Sequence, residues 1–479
     1  MPAYSPERRT AVVLSGTGMH GAYHAGVLRA LQESGVKVDL LAGHGAGAAN
    51  AALAAIDGQA RLWEADGLWL GPQARLFYSW TMPVRVLVWL LIALGALILA
   101  PLGLVVASGL IVYPLGFLLD TFGATAGARM VAVYQGWLQV VFSADVLPAI
   151  IPRLGMALVV AVGLVLAGVA GRAAWQGRGR RTLGAPWWRV VGAPMDAGVS
   201  RQAMTAMVGQ LLRGTTVGAA ASGSLGRRYA EVLSEGLGQP GFRELIIAAT
   251  DLDGQRDVVG ALLREPHAPE FMAARSERER RADVLDFSAS GRDHLIDLVS
   301  AALTPAVVAE PHAMPFAADG HWRGETHRLC DRPGIVHRLL EEVAIAGVTQ
   351  AIVVSACAPV TEPHHLPLAR LDARHRAGEF IAAAEATALR DALETARLRF
   401  DAVYVIRPSH NALGPFDCTG VYDRASDRHA EVAELVQRGY EDALQQFIEP
   451  VVGASGDRLA QDAAPDLVDP GEFRLRPAL

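Results

Sequence analysis

Apolar positions fall along the chain in two alternating rhythms. Ala11–Ser15 is a short apolar run closed by a glycine-containing turn, which predicts a buried strand. Val27, Leu28 and Leu31 then recur at helical spacing until Gly35 ends the pattern. Val38–Ala42 predicts a second buried strand, and Gly43–Gly47 turns it sharply into the Ala-rich helix Ala48–Ile56. Two strand–turn–helix units therefore open the chain. Further along, the pattern predicts a helix near Ser200–Leu212, strands Glu244–Thr250 and Val258–Leu262 joined by the turn Asp251–Gln255, and a charged, solvent-exposed stretch at Glu265–Arg281. Helices Leu295–Leu303 and Gly334–Ala346, strands Ala351–Ser355 and Ala402–Ile406, and a long helix Asp427–Phe447 follow. The alternation of α and β places the chain in the α/β class, and the Pro-, Asp- and Gly-rich tail from Gly453 is expected to be mobile.

A different rhythm interrupts this one. Val86–Leu119 carries no charged side chain, and as one straight helix it would be about 50 Å long against a hydrocarbon core of about 30 Å. Pro101, Gly103 and Pro114 lie within it, so a broken, tilted helix or a helical hairpin is expected. Leu154–Gly171 is apolar and of near-spanning length, and is followed by Arg172, Arg178, Arg180, Arg181 and Arg189 with no acidic residue among them. Arg75 and Arg85 flank the first run. Both outer flanks are therefore expected in the cytoplasm, with two crossings between them. Trp80, Trp89, Trp175, Trp187 and Trp188 sit near the ends of these runs, where indoles suit the headgroup level.

Composition agrees. Of 479 residues, 51% are hydrophobic and only 19% charged, more apolar than an ordinary soluble domain. A net charge of -6 with no basic stripe excludes nucleic acid as the partner to look for. Cys330, Cys357 and Cys418 form no CxxC pair and fit buried free thiols in a reducing compartment. The segment Met1–Thr10 lacks the apolar region of a signal peptide.

Candidate chemistry sits in the two opening turns. Gly16, Thr17, Gly18, Met19, His20 and Gly21 form a glycine loop before a helix, where backbone N–H groups can face a developing oxyanion. The same loop also fits a tight turn or a phosphate-binding loop. Gly43-His44-Gly45-Ala46-Gly47 has the strand–turn–helix setting of a nucleophile elbow. Together with Asp319-Gly320, Leu295–Pro311 and Ala248–Leu252, these motifs resemble the patatin-like phospholipase family, over about Arg9–Ile56 and Gln202–Val451. The resemblance implies a three-layer α/β/α sandwich, which the apolar runs interrupt with a helical transmembrane insertion. The patatin-like domain is then expected in two parts, residues 1–60 and 201–452, around an insertion at 61–200 with spans at about 86–119 and 152–171, and before a tail at 453–479. It implies Asp319 as the base of a two-residue dyad, Gly16–Gly21 as the oxyanion loop, and no metal or cofactor.

Three positions depart from the family pattern. The nucleophilic serine is Gly45, the middle glycine of the loop is Thr17, and the loop arginine is His20. Glycine cannot form an acyl-enzyme. The reading that follows is a multi-pass protein of a bacterial-type inner membrane, its patatin-like domain facing the cytoplasm, that binds a membrane lipid or acyl chain without hydrolysing it. Two alternatives stay open. One is an active esterase or phospholipase that uses Ser15, or a metal held by His20, His44, Asp319 or His321. The other is a membrane scaffold or regulatory subunit whose protein partner the sequence does not name.

Overall fold

Strand β1 (Thr10–Ser15) is buried along its whole length because neighbours flank it on both edges. It pairs in parallel with β2 (Leu40–Gly43) on one side and with β10 (Gln350–Ser355) on the other. The chain between them supplies α1 (His20–Glu33), α2 (Ala46–Ala55) and the single turn α3 (Ala60–Trp63). Two short strands, β3 (Ser79–Trp80) and β4 (Met195–Asp196), bracket the apolar segment in sequence. The remaining strands are β5 (Glu244–Asp251), β6 (Arg256–Leu262), β7 (Ala282–Asp286), β8 (His312–Pro315), β9 (Thr326–Cys330) and β11 (Ala402–Ile406). A computed structural model describes residues 4–123, 125–141, 143, 147–176, 192–212, 222–273, 280–318, 322–359, 373–409, 413–420 and 431–453.

The main sheet runs β11-β10-β1-β2-β5-β6-β7, with β9 pairing β5 and β8 pairing β9. It is parallel from β11 to β5 and antiparallel between β5 and β6. Alternate side chains enter two separate cores. Val12, Leu14, Leu41 and Ile247 pack with α1, α2 and the helix Leu295–Ala302, whereas Ala11, Val13, Leu40 and Ile246 pack with the helices Ile335–Ile345 and Ala373–Arg399. The period-2 alternation of a strand thus becomes three layers, helices on both faces of one sheet.

The chain divides into two compact units, Met1–Ser79 with Met195–Leu479, and Trp80–Pro194. Residues 61–79, assigned to the insertion by sequence, belong to the first unit. Leu62, Leu68, Trp69, Phe77 and Tyr78 are buried in its core, and their large apolar area explains why. In the second unit the apolar run is not broken. The helix α4 (Met82–Thr121) is continuous through Pro101 and Pro114. Gly123 turns the chain, and α5 (Ala126–Val141) folds back along α4. Tyr134 Oη donates to Val105 O at 2.7 Å, and Asp120 Oδ1 accepts the Ala128 N–H at the start of α5. A Cβ on Gly127 would lie 2.3 Å from Gly116 O, so the helices approach closely there and only glycine fits. Helix α6 (Leu147–Gln176) follows. Two stretches, Gly103–Thr121 and Pro152–Arg172, are long and apolar enough to cross a membrane, and 6% and 0% of them are buried.

The stretch expected at the surface, Glu265–Arg281, is not all solvated. Phe271 is buried and Arg280 forms a buried ion pair with Glu342, because the neighbouring helix carries an acidic group inward. Asp319, Gly320, His321, Arg178, Arg180, Arg181, Arg189 and the tail 454–479 lie outside the described residues.

Candidate active site

The site forms where β1 and β2 end side by side and each turns into a helix. Gly45 stands first in the turn into α2 with φ 58° and ψ -135°. Positive φ at this point is the sharp backbone of a strand-to-helix elbow, and glycine adopts it without strain. The backbone of an elbow is therefore present without a side chain.

The place of that side chain is taken. A Cβ built on Gly45 would lie 2.4 Å from Gly16 O and 2.8 Å from Asp331 Oδ2. The same Gly16 oxygen accepts the Ala46 N–H at 2.8 Å. The amide following the nucleophile is the donor an elbow offers to an oxyanion, and here an internal carbonyl holds it. The glycine loop is engaged in the same way. Met19 N–H donates to Pro415 O at 2.8 Å, and a Cβ on Gly18 would lie 2.0 Å from that carbonyl. Gly21 carries no side chain because the Trp69 ring covers it, with Cζ2 2.0 Å from where a Cβ would be. Asn50 fixes this contact by donating to Gly21 O and accepting from Trp69 Nε1.

Asp331 is the carboxylate the structure brings beside Gly45. It follows β9 directly, and its N–H donates to Thr304 O at 2.8 Å. Both its oxygens are bound: His44 Nδ1 lies 3.0 Å from Oδ1, and Thr17 Oγ1 donates to Oδ2 at 2.7 Å. With Nδ1–H given to Asp331, His44 Nε2 faces Ser15 Oγ at 2.9 Å. Ser15, His44 and Asp331 thus form a chain in the order hydroxyl, imidazole, carboxylate, each 2% exposed or less. That is the order of nucleophile, base and orienting acid in serine hydrolases. For His44, burial is the largest influence and lowers the pKa. The charge and hydrogen bond of Asp331 outweigh it, so the net shift is upward.

His24 and His20 do not join this chain. His24 Nε2–H donates to Ser15 O at 3.2 Å, and burial, then repulsion from His20, pushes its pKa down to about 3, so it is neutral. His20 turns away, with Nδ1 3.1 Å from Glu385 Oε2. Glu385 belongs to the helix Ala373–Arg399, which sequence reading passed over. Its buried stripe Gly378, Ile381, Glu385, Leu389, Ala392 and Ala396 has helical spacing and was the available signal. For Asp331 the signal was an acid at the end of a strand, where α/β folds gather their functional side chains.

Residues 12–182 match the family model described as Patatin-like phospholipase. The matched segment, about a third of the chain, is similar to that family. Among solved structures, this chain is similar to VipD from Legionella pneumophila, at 14% identity and a TM-score of 0.31, over 92% of this chain and 67% of that one. No curated protein matches it.

Proposed function

We propose that this patatin-like protein is anchored in a membrane and binds lipid acyl groups without hydrolysing them through its elbow. The observation that carries the reading is the Gly16 carbonyl oxygen. One atom occupies the start of the missing side chain and holds the Ala46 amide that would stabilise an oxyanion. Loss of a nucleophile alone costs about 10⁶ in rate in such sites. Thr17 and His44 add to the closure by engaging both oxygens of Asp331.

Anchoring is supported by the surface of the second unit. Trp89, Leu99, Leu110, Ile111, Phe117 and Leu164 are exposed on α4 and α6, which is unlike the core helix of a soluble protein. Arginines on both outer flanks favour a bacterial-type inner membrane with the patatin-like domain in the cytoplasm.

A second reading has its own observation. The Ser15–His44–Asp331 chain has the order needed for serine hydrolysis, with Ser15 in place of an elbow serine. One experiment separates the two. Full-length protein in mild detergent is treated with a fluorophosphonate probe and assayed on a short-chain ester and a phospholipid, beside Ser15→Ala and Asp331→Ala. No labelling, hydrolysis no faster than the variants, and co-purifying lipid in native mass spectrometry are expected. Labelling at Ser15 with hydrolysis lost in both variants selects the second reading. Release of the protein from membranes by alkaline washing removes the anchoring.

A further inference from the structure

Behind the glycine loop lies a second group of ionisable side chains that elbow chemistry does not use. His20 opens α1, Cys357 follows the end of β10, and Glu385 comes from the helix Ala373–Arg399. One donor atom from each lies within 4.8 Å of the others, and all three residues are buried. His20 Nδ1 is 3.1 Å from Glu385 Oε2, and Cys357 Sγ is 3.7 Å from the same oxygen.

The hydrogen bonding within the group is incomplete. Among the described residues, five buried side-chain nitrogen or oxygen atoms have no hydrogen-bond partner, and two of them belong to this group: His20 Nε2 and Glu385 Oε1. Unpaired polar atoms are costly in an interior, so their concentration in one place points to a ligand.

We propose that His20, Cys357 and Glu385 bind a divalent transition-metal ion, and that the ion is zinc. The donors are a nitrogen, a sulfur and a carboxylate oxygen, a set zinc accepts, whereas calcium and magnesium take oxygen ligands. The charges also balance. A neutral imidazole, a thiolate and a carboxylate offset the two positive charges, leaving no net charge in the interior. On binding, the metal–sulfur bond forms as the Cys357 thiol releases its proton to solvent. Three protein donors leave a fourth position for water.

A nucleophilic role for Cys357 fits the geometry less well. Its sulfur lies 3.7 Å from the Glu385 carboxylate, a negative neighbour that disfavours the thiolate a nucleophile needs, whereas a bound cation favours it. The ion would tie the start of α1, the end of β10 and the long helix together, and so fix the glycine loop from behind.

The test uses full-length protein in detergent, stripped with a chelator, incubated with zinc alone and desalted. Mass-spectrometric metal analysis is expected to find stoichiometric zinc in the wild type and its loss in Cys357→Ser and in Glu385→Gln. Cobalt substitution is expected to give a thiolate-to-cobalt charge-transfer band that disappears in Cys357→Ser. Wild type without stoichiometric zinc, or without the cobalt band, overturns the proposal even where a variant does not fold. Zinc and cobalt spectra unchanged in Cys357→Ser overturn it too, because the metal then sits elsewhere.

Discussion

Placing serine at position 45 is expected to destabilise the protein and to bring no hydrolysis. Gly45→Ser adds a Cβ 2.4 Å from Gly16 O and 2.8 Å from Asp331 Oδ2, at a residue with φ 58°. Holding a side chain at such a backbone costs about 1–3 kcal/mol. Forcing it into filled space costs about 1–3 kcal/mol more. The sum, roughly 2–6 kcal/mol, is a large part of the roughly 5–15 kcal/mol that holds an ordinary domain together. Because the conflict begins at Cβ, Gly45→Ala should lose as much as Gly45→Ser. The assay is thermal unfolding of wild type and both variants in the same detergent, with ester hydrolysis measured on each. Equal, lowered unfolding temperatures and no hydrolysis are expected. A Gly45→Ser protein that unfolds with the wild type, or hydrolyses ester where Gly45→Ala does not, refutes the argument from the Gly16 carbonyl.

Other outcomes follow from the same packing. The raised His44 pKa stabilises the fold fully below the ordinary value of 6.5, and that contribution is lost as pH rises through the higher folded value. The gap in unfolding temperature between wild type and His44→Gln should therefore narrow as pH rises, and a gap that widens contradicts the Asp331 pairing. Gly21→Ala drives a methyl into the Trp69 ring and should cost about 1–3 kcal/mol, seen as a lower unfolding temperature; no change would mean the indole does not cover the loop. Arg280→Ala strands the buried Glu342 carboxylate and should cost about 3–5 kcal/mol, while Arg280→Met with Glu342→Leu should recover most of it. A double variant as unstable as the single one would show that packing, not the stranded charge, sets the loss.

The opening strands and helices were legible because one rule governs them. Ala11–Ser15 and Val38–Ala42 are short apolar runs closed by glycine turns, and the strands lie at Thr10–Ser15 and Leu40–Gly43. The sharp strand-to-helix turn at Gly45 was legible for the same reason, since its glycines answer to local backbone geometry. Partners across the fold were not. Asp331, Glu385 and Cys357 lie more than 280 residues beyond the glycine loop, and only the sheet order brings them back to it. Proline also misled: Pro101 and Pro114 mark a break by local rules, yet α4 continues through both. The buried pair of Arg280 and Glu342 escaped because a charged run reads as a solvated face until its partner helix is known.

The order of strands in the sheet also sets an order in time. β2 pairs with β5, and β1 with β10, so the first 79 residues cannot complete their hydrogen bonding until distant segments have been synthesised. At a ribosomal rate of about 5–20 residues per second, the roughly 200 residues between β2 and β5 take about 10–40 s to emerge. Throughout that interval β1 and β2 can pair only with each other, each with its outer edge open, while the long apolar helices leave the exit tunnel. The newborn chain thus exposes its longest apolar helices before it has a complete sheet to fold onto.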